Sequence, residues 1–188
     1  DLLSFIIGIA VILIPFGTIF YLINKYISNK EEKIKKVFSD QNNFNVTHQF
    51  IGDENSIAVD SNSQKIIFYE KKVLTKINFD DLISVETKIN DMSLHKTQRG
   101  SQIVGGAIGG LLLGPAGLLI GALSGKKTSI QMITKVSIKI TISNIDKPFF
   151  ELIFYNGSPI QSDGLIHKSF SKQADEWIAR LSVIISSK

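Results

Sequence analysis

Cysteine is absent from the chain. That excludes disulfides, thiolate nucleophiles and cysteine metal sites, and it fits a reducing compartment. Histidine is scarce too. His48, His95 and His167 lie far apart, lack the spacing of a metal site, and read as surface or loop positions. Strong charge of either sign is missing: the formal net charge is +4, and the basic residues are scattered without an aromatic stacking platform. Nucleic acid is therefore not the expected partner. No phosphate-binding loop is present. Gly121-Ala-Leu-Ser-Gly125-Lys126-Lys127 has one residue too few between its glycines, and a lysine where Ser or Thr should follow. Asp80-Asp81 reads as a turn leading into a strand rather than a catalytic pair. These absences predict a protein that is not an enzyme and needs no cofactor or metal.

Two long stretches lack charge altogether, and the chain is organised around the second. Ser101 to Gly125 (SQIVGGAIGGLLLGPAGLLIGALSG) carries glycine at Gly106, Gly110 and Gly114, then at Gly117, Gly121 and Gly125. A step of four places each trio on one helix face, where another backbone can approach closely. Pro115 between Gly114 and Ala116 removes a backbone donor, so the spacing predicts two short helical arms joined as a hairpin. Basic residues flank it: His95, Lys96 and Arg99 before, Lys126 and Lys127 after. Lys96, Arg99, Lys126 and Lys127 are the candidate contacts to an anionic membrane surface. Each arm is about ten residues and spans roughly half of a hydrocarbon core. A full crossing would separate the strands before and after it, so a re-entrant or shallow hairpin is expected. Three uses of the glycine face remain open. The arms pack on each other, the hairpins of several chains assemble, or the segment forms the core of a soluble oligomer. The stretch resembles the glycine zippers of membrane-inserting and pore-forming segments.

The first uncharged stretch, Leu2 to Asn24, is long enough to cross a bilayer as a helix. Pro15 and Gly17 are tolerable there, and Lys25, Lys30, Lys33, Lys35 and Lys36 follow it. By the positive-inside rule the remainder would be cytoplasmic. The length and the lack of an A-x-A site argue against a cleaved signal. The expectation is a transmembrane anchor over 1–28, single-pass in a bacterial inner membrane. A charged linker helix over 29–45 follows, with Ile34, Val37 and Phe38 on one side. The chain opens on Asp1 rather than methionine, which leaves room for residues upstream.

From Val46 the period changes to two. SIAVD, KIIFY, Val73–Phe79, the segment after Asp81, VSIKITI and FFELIFY read as short antiparallel strands. Gln161 to Lys168 reads as loop. Ser171 to Ser186 reads as a helix with Ser171 as its cap. Its apolar stripe is Ala174, Trp177, Ile178, Leu181, Ile184 and Ile185. In IAVDSNSQKIIFY, INFDDLISVET, VSIKITI with FFELIFY, and ADEWIARL, the chain resembles the bacterial pleckstrin-homology-like domain. The resemblance covers Val46 to Ser186, with the hairpin as an insertion. It implies a bent antiparallel sheet closed by a helix and a binding or scaffolding role, and it carries over no phosphoinositide site.

The fold class expected is α+β. An N-terminal transmembrane helix precedes an antiparallel PH-like sheet or partial barrel over 46–188. A C-terminal helix caps the barrel, and a glycine-rich helical hairpin over 101–125 interrupts it. The function expected is a non-enzymatic membrane scaffold or sensor. It would bind a protein or lipid partner, contact membrane, and form a homo-oligomer. The alternative is an effector that permeabilises or remodels membrane, as in phage exclusion or a toxin-like stress response.

Overall fold

The computed structural model describes residues 2–99, 132–162 and 164–187, with backbone alone for 2–14 and 94–96. The glycine segment, with Gly106, Gly110, Gly114, Pro115, Gly117, Gly121, Gly125, Lys126 and Lys127, lies outside the described residues. The chain divides into two units, Asp1–Phe44 and Asn45–Lys188.

The first unit is one helix, α1 (Leu2–Ser39), which ends before Asn43 takes a left-handed φ of 57°. The expected anchor and linker helix are thus one continuous element. Apolar side chains from Phe16 to Ile27 stand exposed on it. No helix among the described residues is long and apolar enough to cross a membrane. Over 15–39, where side chains are described, any stretch of bilayer length takes in Lys25, Lys30, Glu31 and Glu32, and burying such charges in hydrocarbon is costly. The transmembrane anchor, and with it the single-pass inner-membrane localisation, is corrected on this finding.

The second unit holds two antiparallel sheets and a helix, not one bent sheet. The first sheet is formed by β1 (His48–Ile51), β2 (Asn55–Asp60), β3 (Lys65–Glu70) and β4 (Val73–Asn78), in sequence order. A 3₁₀ turn at Phe79–Asp81 leads on, and the Asp81 carboxylate accepts the Asn78 N–H at 2.8 Å. The second sheet is formed by β5 (Leu82–Ile89), β6 (Met92–Gln98), β7 (Met132–Ile142) and β8 (Phe149–Gln161), in the order β6-β5-β7-β8. Helix α2 (Leu165–Ser186) follows.

Alternation decides which side chains face inward. Ile57, Val59, Ile66, Phe68 and Ile77 from the first sheet share one core with Val85, Ile89, Val136, Ile138 and Ile140 from the second. The α2 stripe Ala174, Trp177, Ile178, Leu181, Ile184 and Ile185 joins that core. The N-cap of α2 is Gly164 rather than Ser171, so the helix takes in much of the expected loop. Ser171 is instead an interior residue. Its hydroxyl donates to His167 Nε2 at 3.0 Å, while Nδ1–H donates to the Ser162 carbonyl at 2.6 Å. His167 is therefore a buried structural histidine, not a surface one. Burial pushes its pKa down, against the Ser162 contact.

Candidate functional site

The two described ends of the chain on either side of the glycine segment are the natural place to look for function. Strands β6 and β7 each run antiparallel to β5, so they are parallel to each other, with β5 between them. Gln98 lies opposite Ser84, near the start of β5. Val136 lies opposite Ile89, the end of β5, and β7 begins at Met132, further out still. The two attachment points are thus at opposite ends of one sheet. At about 3.3 Å per residue they are about 30 Å apart. A chain joining parallel strands in one sheet must make a crossover, not a tight turn.

Each attachment point is clamped by a polar side chain. At the exit, Arg99 N–H donates to the Ile83 carbonyl at 3.0 Å. Its guanidinium donates to the carbonyls of Asp80 and Leu82, the latter at 2.8 Å. Both bonds leave one nitrogen, Nη2, whose two N–H groups lie in the guanidinium plane. Lys96 stands on β6 opposite Glu86.

At the return, the two-residue β5–β6 turn places Asn90 and Asp91 at φ 48° and 64°, a conformation these residue types tolerate. The Asn90 side chain then reaches across to β7. Its Oδ1 accepts from Thr134 N–H at 2.8 Å, from the Thr134 hydroxyl at 3.1 Å and from Lys135 N–H at 3.3 Å. Its Nδ2 donates to the Met132 carbonyl at 2.9 Å. Lys135 pairs with Glu151 at 2.9 Å and Asp91 at 3.1 Å. Burial alone would lower its pKa, but these two carboxylates outweigh that and hold it above the usual lysine value. Sequence reasoning missed Asn90. The only local signal was Asn-Asp between two extended runs.

Under α2 lies a polar seam. The Ser182 hydroxyl donates to Thr97 Oγ1 on β6 at 3.1 Å. Among the described residues, Thr87 Oγ1 and Asp175 Oδ1 are buried without a hydrogen-bond partner, and burial raises the Asp175 pKa to about 6. At the corner between the sheets, Asn55 ties β2 to β8. Its Nδ2 donates to the Glu151 carbonyl, and its Oδ1 accepts from Ile153 N–H at 3.1 Å. Beside it is a cleft of about 10 Å³ lined by Ser56, Phe68 and Phe150. That is room for about one water, far below the roughly 300 Å³ of a small-molecule site. Among the described residues no group of three or more His, Asp or Glu could hold a metal ion.

Comparison with known proteins adds a second line of information. The profile of a family described as "Glycine zipper containing PH domain" matches residues 28–156, more than half of the chain. An "Immunity protein" of Bacillus phage SPbeta is 26% identical over 117 residues, covering 58% of this chain and 56% of that protein. A Bacillus subtilis (strain 168) protein, described as the SPbeta prophage-derived uncharacterized membrane protein YomJ, is 26% identical over 117 residues. That match covers 58% of this chain and 50% of the relative. The chain thus spans about half the length of the curated relatives it matches. No solved structure matches it.

Proposed function

This chain belongs to the family of glycine zipper containing PH domains, and from that premise we propose that it is a non-enzymatic scaffold or sensor. In this reading the two-sheet unit binds a protein or lipid partner, and the glycine segment over 101–125 associates with that of other copies. The observation that carries the reading is the mounting of the segment. Both of its attachment points are fixed by side chains that satisfy backbone groups, Arg99 at one end and Asn90 at the other. A rigid mount is what an assembly segment needs if the domain is to report its state. Native mass spectrometry of Gly110→Leu and Gly121→Leu tests this. Filling the small face should reduce the assembly to smaller species while the sheets remain folded. An assembly of unchanged mass in both variants sinks the idea.

The name of the phage relative favours a second reading, an effector of phage exclusion acting at membranes. Expression would then depolarise cells, and removal of 101–125 would abolish the effect. Unchanged membrane potential at high expression counts against it.

A further inference from the structure

The chain holds one Asn-Gly step, Asn156-Gly157, and the fold sets it where a ladder lapses. In the pairing of β7 with β8, Ile133 lies opposite Ile160 and Lys135 lies opposite Asn156. One residue of β7 therefore faces three of β8. Gly157, Ser158 and Pro159 form a bulge that leaves the register. Asn156 and these three residues are exposed. The backbone does not call for glycine here, because Gly157 lies outside the left-handed region. The nearest atoms to a Cβ built on it belong to Tyr155, with Oη at 3.2 Å. That ring is drawn over the bulge by its own hydroxyl, which donates to the Ser158 carbonyl.

The Asn156 side chain has a defined task. Its Nδ2 donates to Glu54 Oε1 at 2.7 Å. Glu54 belongs to the β1–β2 turn, and that turn lies against β8. The turn is closed by Gly52 N–H, which donates to the Asn55 carbonyl at 3.0 Å. A Cβ at Gly52 would stand 3.2 Å from the Ile153 carbonyl oxygen. Asn55 itself bonds the backbone of β8 at Glu151 and Ile153. Two asparagines thus tie the first sheet to β8. Asn55 is the buried link, and Asn156 is the exposed one.

We propose that Asn156 is a self-modification site, and that its deamidation opens the exposed link of this corner. Asparagine is a chemically labile residue. The backbone nitrogen of Gly157 attacks Asn156 Cγ and gives up its proton to solvent. The Cγ–Nδ2 bond breaks, and the nitrogen leaves as ammonia. A five-membered cyclic imide results, which water then opens. Water adding at Cγ gives aspartate, and water adding at the former backbone carbonyl gives isoaspartate. Three features favour the step. Gly157 has no Cβ to obstruct the attack, the bulge frees the backbone from the ladder, and exposure admits water. The product sets a carboxylate where Nδ2 stood beside Glu54. Two carboxylates at hydrogen-bond distance repel, so a bond that held the β1–β2 turn becomes a repulsion. This inference is independent of the binding-module reading above.

The chemistry is tested by holding the purified whole chain at mildly alkaline pH for days. Peptide mapping then separates asparagine, aspartate and isoaspartate. Asn156 should convert well ahead of Asn62, which is also exposed and is followed by Ser63. Gly157→Ala should suppress the conversion. It puts a methyl group beside the attacking nitrogen and asks only a small shift of the Tyr155 ring. Asn156→Asp mimics one product and reads the consequence. Hydrogen exchange at the Gly52 amide should speed up about tenfold, as expected for one lost hydrogen bond to a charged group. Adding Glu54→Gln to Asn156→Asp exchanges donor and acceptor, so it should restore the protection, which misfolding would not allow. The proposal is overturned if Asn156 persists as long as Asn62 or longer, if Gly157→Ala converts as fast, or if Asn156→Asp leaves Gly52 as protected as before. None of these outcomes touches self-association through 101–125, which native mass decides separately.

Discussion

Asp60 and Asp175 are both carboxylates in largely buried settings, and their surroundings push them in opposite directions. Burial alone would raise Asp60. Hydrogen bonds from the Ser63 hydroxyl, at 2.6 Å, and from the backbone N–H groups of Asn45, Ser63 and Asn62 outweigh it and hold the pKa at about 2, below the ordinary 3.8. Asp175 has burial and, among the described residues, no compensating donor, and its pKa is raised to about 6. The signs follow from linkage. The Asp60 contribution is fully present above pH 4 and is lost as pH falls toward 2. Asp175 works the other way. Its folded form keeps the proton longer than the unfolded one, so stability declines as pH rises between about 4 and 6 and stays lower above that. Chemical denaturation as a function of pH should separate them. Asp60→Asn should lower stability at pH 7 and flatten the acid limb between pH 2 and 4. Asp175→Asn should raise stability at pH 7 by about 2 kcal/mol, with the gain vanishing below pH 4. An Asp175→Asn variant that is less stable at pH 7 would show that its ionised carboxylate is needed.

At the scale of the element, what the sequence displays depends on how local the cause is. The α2 stripe was legible because 3.6-residue spacing is written in the chain, and all six of its apolar residues are buried. Strand β2 was legible from the alternation of Ser56 to Asp60, and β3 from the β-branched and aromatic run Lys65 to Tyr69. Strand β6 was not. It is an edge strand of Met92, Ser93, Leu94, His95, Lys96, Thr97 and Gln98, mostly polar as edges tend to be, and it read as flanking sequence for the glycine segment. The start of α2 was also hidden, because Gly164 caps it through backbone geometry rather than a side-chain oxygen. The Asn90 clamp joins residues more than 40 positions apart, so no periodicity announces it. Replacement by Gly keeps the left-handed turn and removes only the side chain. Asn90→Gly should therefore cost about 1–2 kcal/mol, and hydrogen exchange should speed up at the Thr134 and Lys135 amides before the rest of β7. Unchanged protection at those two amides would mean that the ladder, not the clamp, holds the start of β7.

At the scale of the whole molecule, the glycine spacing was visible in the sequence, but the places where the segment joins the fold were not. Strand order is a non-local property, and nothing in residues 92–98 says that β5 will separate them from β7. Once that order is known, the connection has a minimum length. A gap of about 30 Å needs at least about nine fully extended residues, and more to pass over the sheet rather than through it. Replacing residues 100–131 with Gly/Ser linkers of graded length should therefore give a sharp dependence. A linker of about 6 residues cannot close the second sheet, and its variant should lose the β6 pairing to β5, read as collapse of amide dispersion in an NMR spectrum. A linker of about 16 residues should restore the two-sheet unit, because lengthening a flexible loop further costs little. If the short linker folds as well as the long one, β6 and β7 are not parallel neighbours of β5. The segment would then leave and re-enter at one end of the sheet, as a simple hairpin insertion would.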